Sequence, residues 1–157
     1  MNIINFQIVF QLIMAVCLGA LVGLEREFKE KGAGLKTYSL VSLGSCIFAI
    51  TGMALFKSSV AESGFNFGSS AIIQAVAMGI GFIGAGVIFQ KESKIEGITT
   101  AAGLWVTAAM GMAVGLGFYF ISFVATLLMI VIFVGFGFFE NKILKEELKK
   151  IHKNKKR

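Results

Sequence analysis

The chain has 157 residues, 56% of them hydrophobic and only 15% charged, with no Pro and no Asp. A soluble domain carries about 25% charged residues; here the few charges gather in short clusters between apolar stretches of about 20 residues, the length that crosses a hydrocarbon core of about 30 Å. The net charge of +6 is also unlike that of a nucleic-acid binder, because eight of the fifteen Lys and Arg follow Asn141 and four more lie between Arg26 and Lys36. A base-reading surface interleaves its charges with polar and aromatic residues, so the bilayer, and not nucleic acid, is the expected partner.

The first apolar span covers residues 6–24. The segment before it has no Lys or Arg and no small-residue cleavage site follows, so it is read as a retained helix and not a signal peptide. A charged loop leads to a second span at 37–56, a small-residue loop to a third at 71–89, and a charged loop at 90–97 follows. Residues 98–139 contain no charge. As one helix they would be about 63 Å long, twice the bilayer core. The run must therefore fold back, and Gly115-Leu116-Gly117 is the natural turn, giving spans at 98–116 and 118–139. Strands of this length would alternate in polarity and need a closed barrel. The expectation is an all-α membrane domain of five helices over 1–140, followed by a basic amphipathic tail at 141–157.

Charge counting orients it. With the N-terminus outside, fourteen Lys and Arg fall inside and only Lys57 outside, so the rule that cytoplasmic loops are positive places the C-terminus in the cytoplasm. In the tail, Ile143, Leu144, Leu148 and Ile151 recur at helical spacing opposite lysines. That pattern fits either a helix on the anionic inner leaflet or a solvated anchor.

Residues 79–84 read Gly-Ile-Gly-Phe-Ile-Gly, a literal dinucleotide fingerprint. The fingerprint needs a strand before it and a helix after it in water. Mid-span, Gly79, Gly81, Gly84 and Gly86 instead point to close helix approach, as do the small-xxx-small pairs Gly19/Gly23 and Gly111/Gly115. On a helical wheel Gln7, Gln11 and Glu25 share one face of the first span, with Gly19, Gly23 and Arg26 roughly opposite. Gln74, Gly81 and Ala85 align in the third. Thr100, Gly103, Thr107, Gly111 and Gly115 form one stripe in the fourth, which serves either packing or a polar conduction path. No carboxylate lies deep in a span, which argues against a pump or proton-coupled carrier. Cys17 and Cys46 read as small apolar residues, His152 has no acidic or His neighbour for catalysis or metal, and Trp105 reads as a packing or interface residue. No catalytic residue, metal or cofactor is expected.

Two stretches, Leu18-Gly-Ala-Leu-Val-Gly-Leu-Glu-Arg-Glu27 with Ala33-Gly-Leu-Lys-Thr37, and Gly79-Ile-Gly-Phe-Ile-Gly-Ala-Gly-Val-Ile88 with Gly97-Ile-Thr-Thr-Ala-Ala-Gly-Leu-Trp105, resemble the MgtC/SapB family of bacterial membrane proteins. The resemblance covers about residues 10–120. It implies a bacterial or archaeal cytoplasmic membrane protein linked to growth at low magnesium, to virulence through survival in phagocytes, and in some members to restraint of the F-type ATP synthase. Some members carry Asn at Thr99 and Arg at Lys36, and a Lys lacks the planar fork of Arg. Some also carry a soluble C-terminal domain, so the expectation here is a short form.

The combined expectation is a non-enzymatic protein of magnesium homeostasis that regulates another membrane complex through its glycine-lined grooves. The ATP synthase, by resemblance alone, and a second copy are candidate partners. Glu25, Arg26, Lys36, Thr37, Gln74, Thr99, Thr100 and Thr107 are the candidate polar residues. The alternative is a Mg²⁺ or other cation permease lined by the Thr100–Thr107 stripe and Gln74.

Overall fold

The computed structural model describes residues 2–63 and 70–138; the tail at 141–157 lies outside them. The five expected helices are α1 (Asn2–Phe28), α2 (Leu35–Ser63), α3 (Ser70–Gly86), α4 (Ile98–Gly115) and α5 (Tyr119–Val131), the last running on into a π-helical turn, Ile132–Phe136. Four of them are long and apolar enough to cross a membrane. With 17 residues, α3 spans about 26 Å, just short of the core.

Two ends show why the chain turns where it does. After α4, Gly117 takes φ 86° while Phe118 N–H bonds Ala113 O and Gly117 N–H bonds Val114 O. This is the Schellman arrangement, with glycine in the left-handed position. After α1 the same pattern recurs, Lys31 N–H to Arg26 O and Glu30 N–H to Glu27 O, with Glu30 at φ 51° in the glycine role. α1 thus continues past Leu24, where the apolar span ends, and carries Glu25 and Arg26 inside its last turn and a half. The segment expected as a plain loop at 90–97 is a short antiparallel hairpin of β1 (Phe89–Lys91) and β2 (Lys94–Glu96), which ends α3 at Gly86. Of the two strands only Lys-Ile-Glu alternates in polarity, and all six residues are exposed.

Successive helices alternate in direction. Gln11, early in α1, bonds the last carbonyls of α4, whereas Arg26, late in α1, meets Thr100 at the start of α4. The 29–34 connection and the β-hairpin therefore share one end, with Arg26, Lys29, Lys31, Lys36, Lys91 and Lys94. More than half of α4 is buried, 56% of its span, against 33% or less for the other three long spans, so α4 is the central post.

Small residues set that centre. A Cβ on Gly19 would stand 2.7 Å from Tyr38 O, and one on Gly23 2.8 Å from Leu35 Cα. A Cβ on Gly115 would stand 2.6 Å from Cys46 O, and Gly111 lies directly on the Ser42 backbone. α2 is thus clamped between glycines of α1 and α4 along the line Tyr38, Ser42, Cys46. Such backbone approach maximises dispersion contact where lipid offers no hydrophobic driving force between helices. Large side chains such as Phe6, Phe82 and Phe120 face outward.

A buried charge cluster as the candidate functional site

At the end that carries the two basic connections, Arg26 is only 4% exposed. Its guanidinium lies 4.3 Å from the centre of the Phe133 ring, its Nη1 is 3.5 Å from Glu25 Oε2, and its Nη2 reaches Thr100 Oγ1 at 3.5 Å. Glu25, with its side chain 12% exposed, takes a second cation, Lys29 Nζ at 2.8 Å. Lys29 in turn donates to Phe133 O at 3.1 Å. That carbonyl belongs to the π-helical turn. Tyr38, fully buried, donates to Thr100 O at 3.4 Å and fills the space beside Gly103.

The cluster ties three helices together: α1 supplies the charges, α4 the hydroxyl and α5 the aromatic ring and carbonyl. Burial of charge is costly unless the charge is paired. Here one carboxylate is matched by two cations, leaving a net positive charge under the ring, and Arg26 Nε has no hydrogen-bond partner among the described residues. Beside it, Glu27 accepts the Leu35 N–H at 2.9 Å, which satisfies one free donor at the start of α2.

The structure brings some of the candidate residues together and separates others. Glu25, Arg26 and Thr100 meet in the cluster. Thr37 is half-buried at the start of α2, while Lys36 and Thr99 are exposed at the same end. The stripe Thr100, Gly103, Thr107, Gly111, Gly115 packs against α2 and α5, and the fully buried Thr107 donates to Gly103 O of its own helix. Gln74 is exposed on α3, remote from that stripe. A Cβ on Gly84 would lie 3.6 Å from Ala101 Cβ, but one on Gly79, Gly81 or Gly86 would meet nothing within 4 Å. The close approach expected at those three glycines is absent because α3 turns Ile80 and Gly84 inward, with Ile72 and Val76 packed beside them. Both faces of α1 find partners, Gln11 at the end of α4, Gly19 and Gly23 on α2. Gln11, Gly19, Gly23 and Arg26 are all buried, because α2 and α4 both pack on α1 and together cover a wide sector.

Sequence reasoning passed over Tyr38, Lys29 and Phe133 as site residues. A tyrosine one turn after a charged loop, on the α2 face that meets glycines, was the available signal for the first. Phe133 had none, being one of sixteen Phe.

Comparisons with known proteins fit this geometry. The MgtC family profile matches residues 12–142. "Putative magnesium transporter YhiD" of Escherichia coli (strain K12) is 38% identical over 130 residues, 81% of this chain and 60% of that protein. "Protein SrpB" of Synechococcus elongatus is 34% identical, covering 81% of this chain and 73% of that one. "Protein MgtC" of Salmonella typhimurium (strain LT2) is 33% identical, covering 82% and 52%. The chain thus spans a little over half of YhiD and of MgtC. No solved structure matches it. With a profile match over most of its length and four helices fit to cross a bilayer, the chain is a multi-pass membrane protein of the MgtC family.

Proposed function

We propose that this protein sits in the cytoplasmic membrane with its N-terminus outside, and supports magnesium homeostasis by engaging another membrane protein. The basic end, with the buried cluster and the β-hairpin, faces the cytoplasm on this reading, as the positive-inside rule requires. The observation that carries the proposal is the outer face of α3. Gln74, Gly81 and Ala85 align there and are exposed, flanked by Met78 and Phe82, which are 74% and 85% exposed. An amide facing hydrocarbon gains from a hydrogen-bonding helix, and the neighbouring small residues let such a helix come close. The glycines of α1 and α4 are consumed inside the bundle, so α3 is the surface left for a transmembrane helix of a partner.

A photo-crosslinking residue at Met78 or Phe82 in growing cells tests this. A membrane protein captured there, and lost together with growth at low magnesium in Gln74→Leu, supports the reading. Capture of only a second copy, or a Gln74→Leu strain that grows normally at low magnesium, overturns it.

The printed name of YhiD favours a second reading, cation transport. Mg²⁺ keeps several waters and needs a wide polar path, whereas the threonine stripe is filled by Tyr38, Ser42, Cys46 and Phe133. Mg²⁺ entry into sealed proteoliposomes holding only this protein, read with an internal dye, separates the two readings. Flux above that of empty liposomes would replace regulation by transport.

A further inference from the structure

Between α2 and α3 the bundle leaves a groove of about 750 Å³, open at the side and almost wholly apolar. Leu40, Gly44, Phe48 and Leu55 line it from α2, Val76, Gly79 and Ile83 from α3. Of its two hydroxyl residues, Thr51 donates to Ile47 O at 2.7 Å and Ser45 is only 5% exposed, so they offer little to a polar occupant. From Leu40 to Leu55 the groove runs about 22 Å along the helix, more than the depth of one leaflet, about 15 Å. Glycines at 44 and 79 keep it open, since a Cβ on either would meet nothing within 4 Å.

In a bilayer such a groove fills with hydrocarbon. What selects its occupant is the mouth. Lys36 is exposed in the first turn of α2, four residues before Leu40 and hence on the same helix face. That face opens at the basic end, at the level of lipid phosphates. Glu27, on the adjoining segment, is held by the Leu35 N–H. We infer that the α2–α3 groove is a binding site for an anionic phospholipid, with one acyl chain seated along Gly44 and Gly79 and the headgroup phosphate paired with Lys36. Basic pockets between transmembrane helices on the cytoplasmic side bind such headgroups. This face of α3 is distinct from the Gln74–Gly81–Ala85 face, so the inference stands apart from the partner proposal.

The test is native mass spectrometry of the full chain in mild detergent, titrated with an equimolar mixture of phosphatidylglycerol and phosphatidylcholine of identical chains. One Lys near an anionic headgroup contributes about 1 kcal/mol, so the wild type should retain phosphatidylglycerol about fivefold in preference. Lys36→Gln should bring that ratio close to one without loss of bound lipid. Gly79→Leu should diminish adducts of both lipids, whereas Ala109→Leu, which places the same side chain at an exposed position of α4, should keep adducts and ratio. An unchanged ratio in Lys36→Gln, unchanged adducts in Gly79→Leu, or equal loss in Ala109→Leu overturns the site.

Discussion

Replacing Arg26 by Met probes the buried cluster most directly. The substitution keeps an unbranched apolar stem under Phe133 but leaves Glu25 with Lys29 as its one close cation. At an effective dielectric of about 20, charges 3.5 Å apart interact by about 5 kcal/mol. The cost of desolvating Arg26 offsets part of this, and Lys29 continues to hold the carboxylate. Breaking a buried pair by deleting one partner costs about 3–5 kcal/mol, and the remaining cation moves this case to the lower end, about 3 kcal/mol. Glu25→Gln in the same background removes the orphaned charge and should return about half of the loss. Equilibrium unfolding in mixed micelles, run as a double-mutant cycle, measures both values. A loss below about 1 kcal/mol in Arg26→Met, or no recovery in the double variant, would refute the claim that pairing stabilises this end.

Three further outcomes are expected. Gly111→Ala should destabilise by about 1–3 kcal/mol, the usual cost of overpacking, because its Cβ falls on the Ser42 backbone, whereas Gly79→Ala should change the melting temperature little. Gln11→Leu should cost about 1–3 kcal/mol in the same unfolding assay, since the Gln11 Nε2 donates to Gly115 O at 3.1 Å and adds a second bond, also at 3.1 Å, to Val114 O at the end of α4. In a background where Cys17 and Cys46 are replaced, a cysteine at Lys94 should react with an impermeant maleimide only from the cytoplasmic side, and one at Gly117 only from the outside. The opposite pattern would invert the proposed orientation.

How much of this was legible beforehand divides by the physics involved. Hydropathy and charge spacing report on transfer into lipid, so helix number, the turn at Gly117 and the basic end were readable from residues alone. The threonine stripe of α4 was readable as a periodicity, but not which of its two uses applied, since that depends on α2 filling it. Apolar length underestimated α1, because a buried Glu25–Arg26 pair can extend a helix past its hydrocarbon limit once neighbours supply an aromatic ring and a hydroxyl. The glycines of α3 misled in the other direction. Small residues permit close approach but do not oblige it, and three of the four stay open. Gln11 reaching the end of α4 is a contact across more than a hundred residues, and local pattern carries no trace of it.

The clamped and the open glycines together give the molecule uneven stiffness. α1, α2 and α4 form a wedge in which backbones touch and little can shift without breaking contact. α3 turns Ile80 and Gly84 towards that wedge, with the apolar groove left between it and α2. It is the most loosely packed flank, and its tether at the basic end is short. The hairpin is cross-bonded, and Gly97, at φ 92°, lies against the Val87 backbone just before α4 begins. That short brace joins the end of α3 directly to the first turn of α4, where Thr100 meets Arg26.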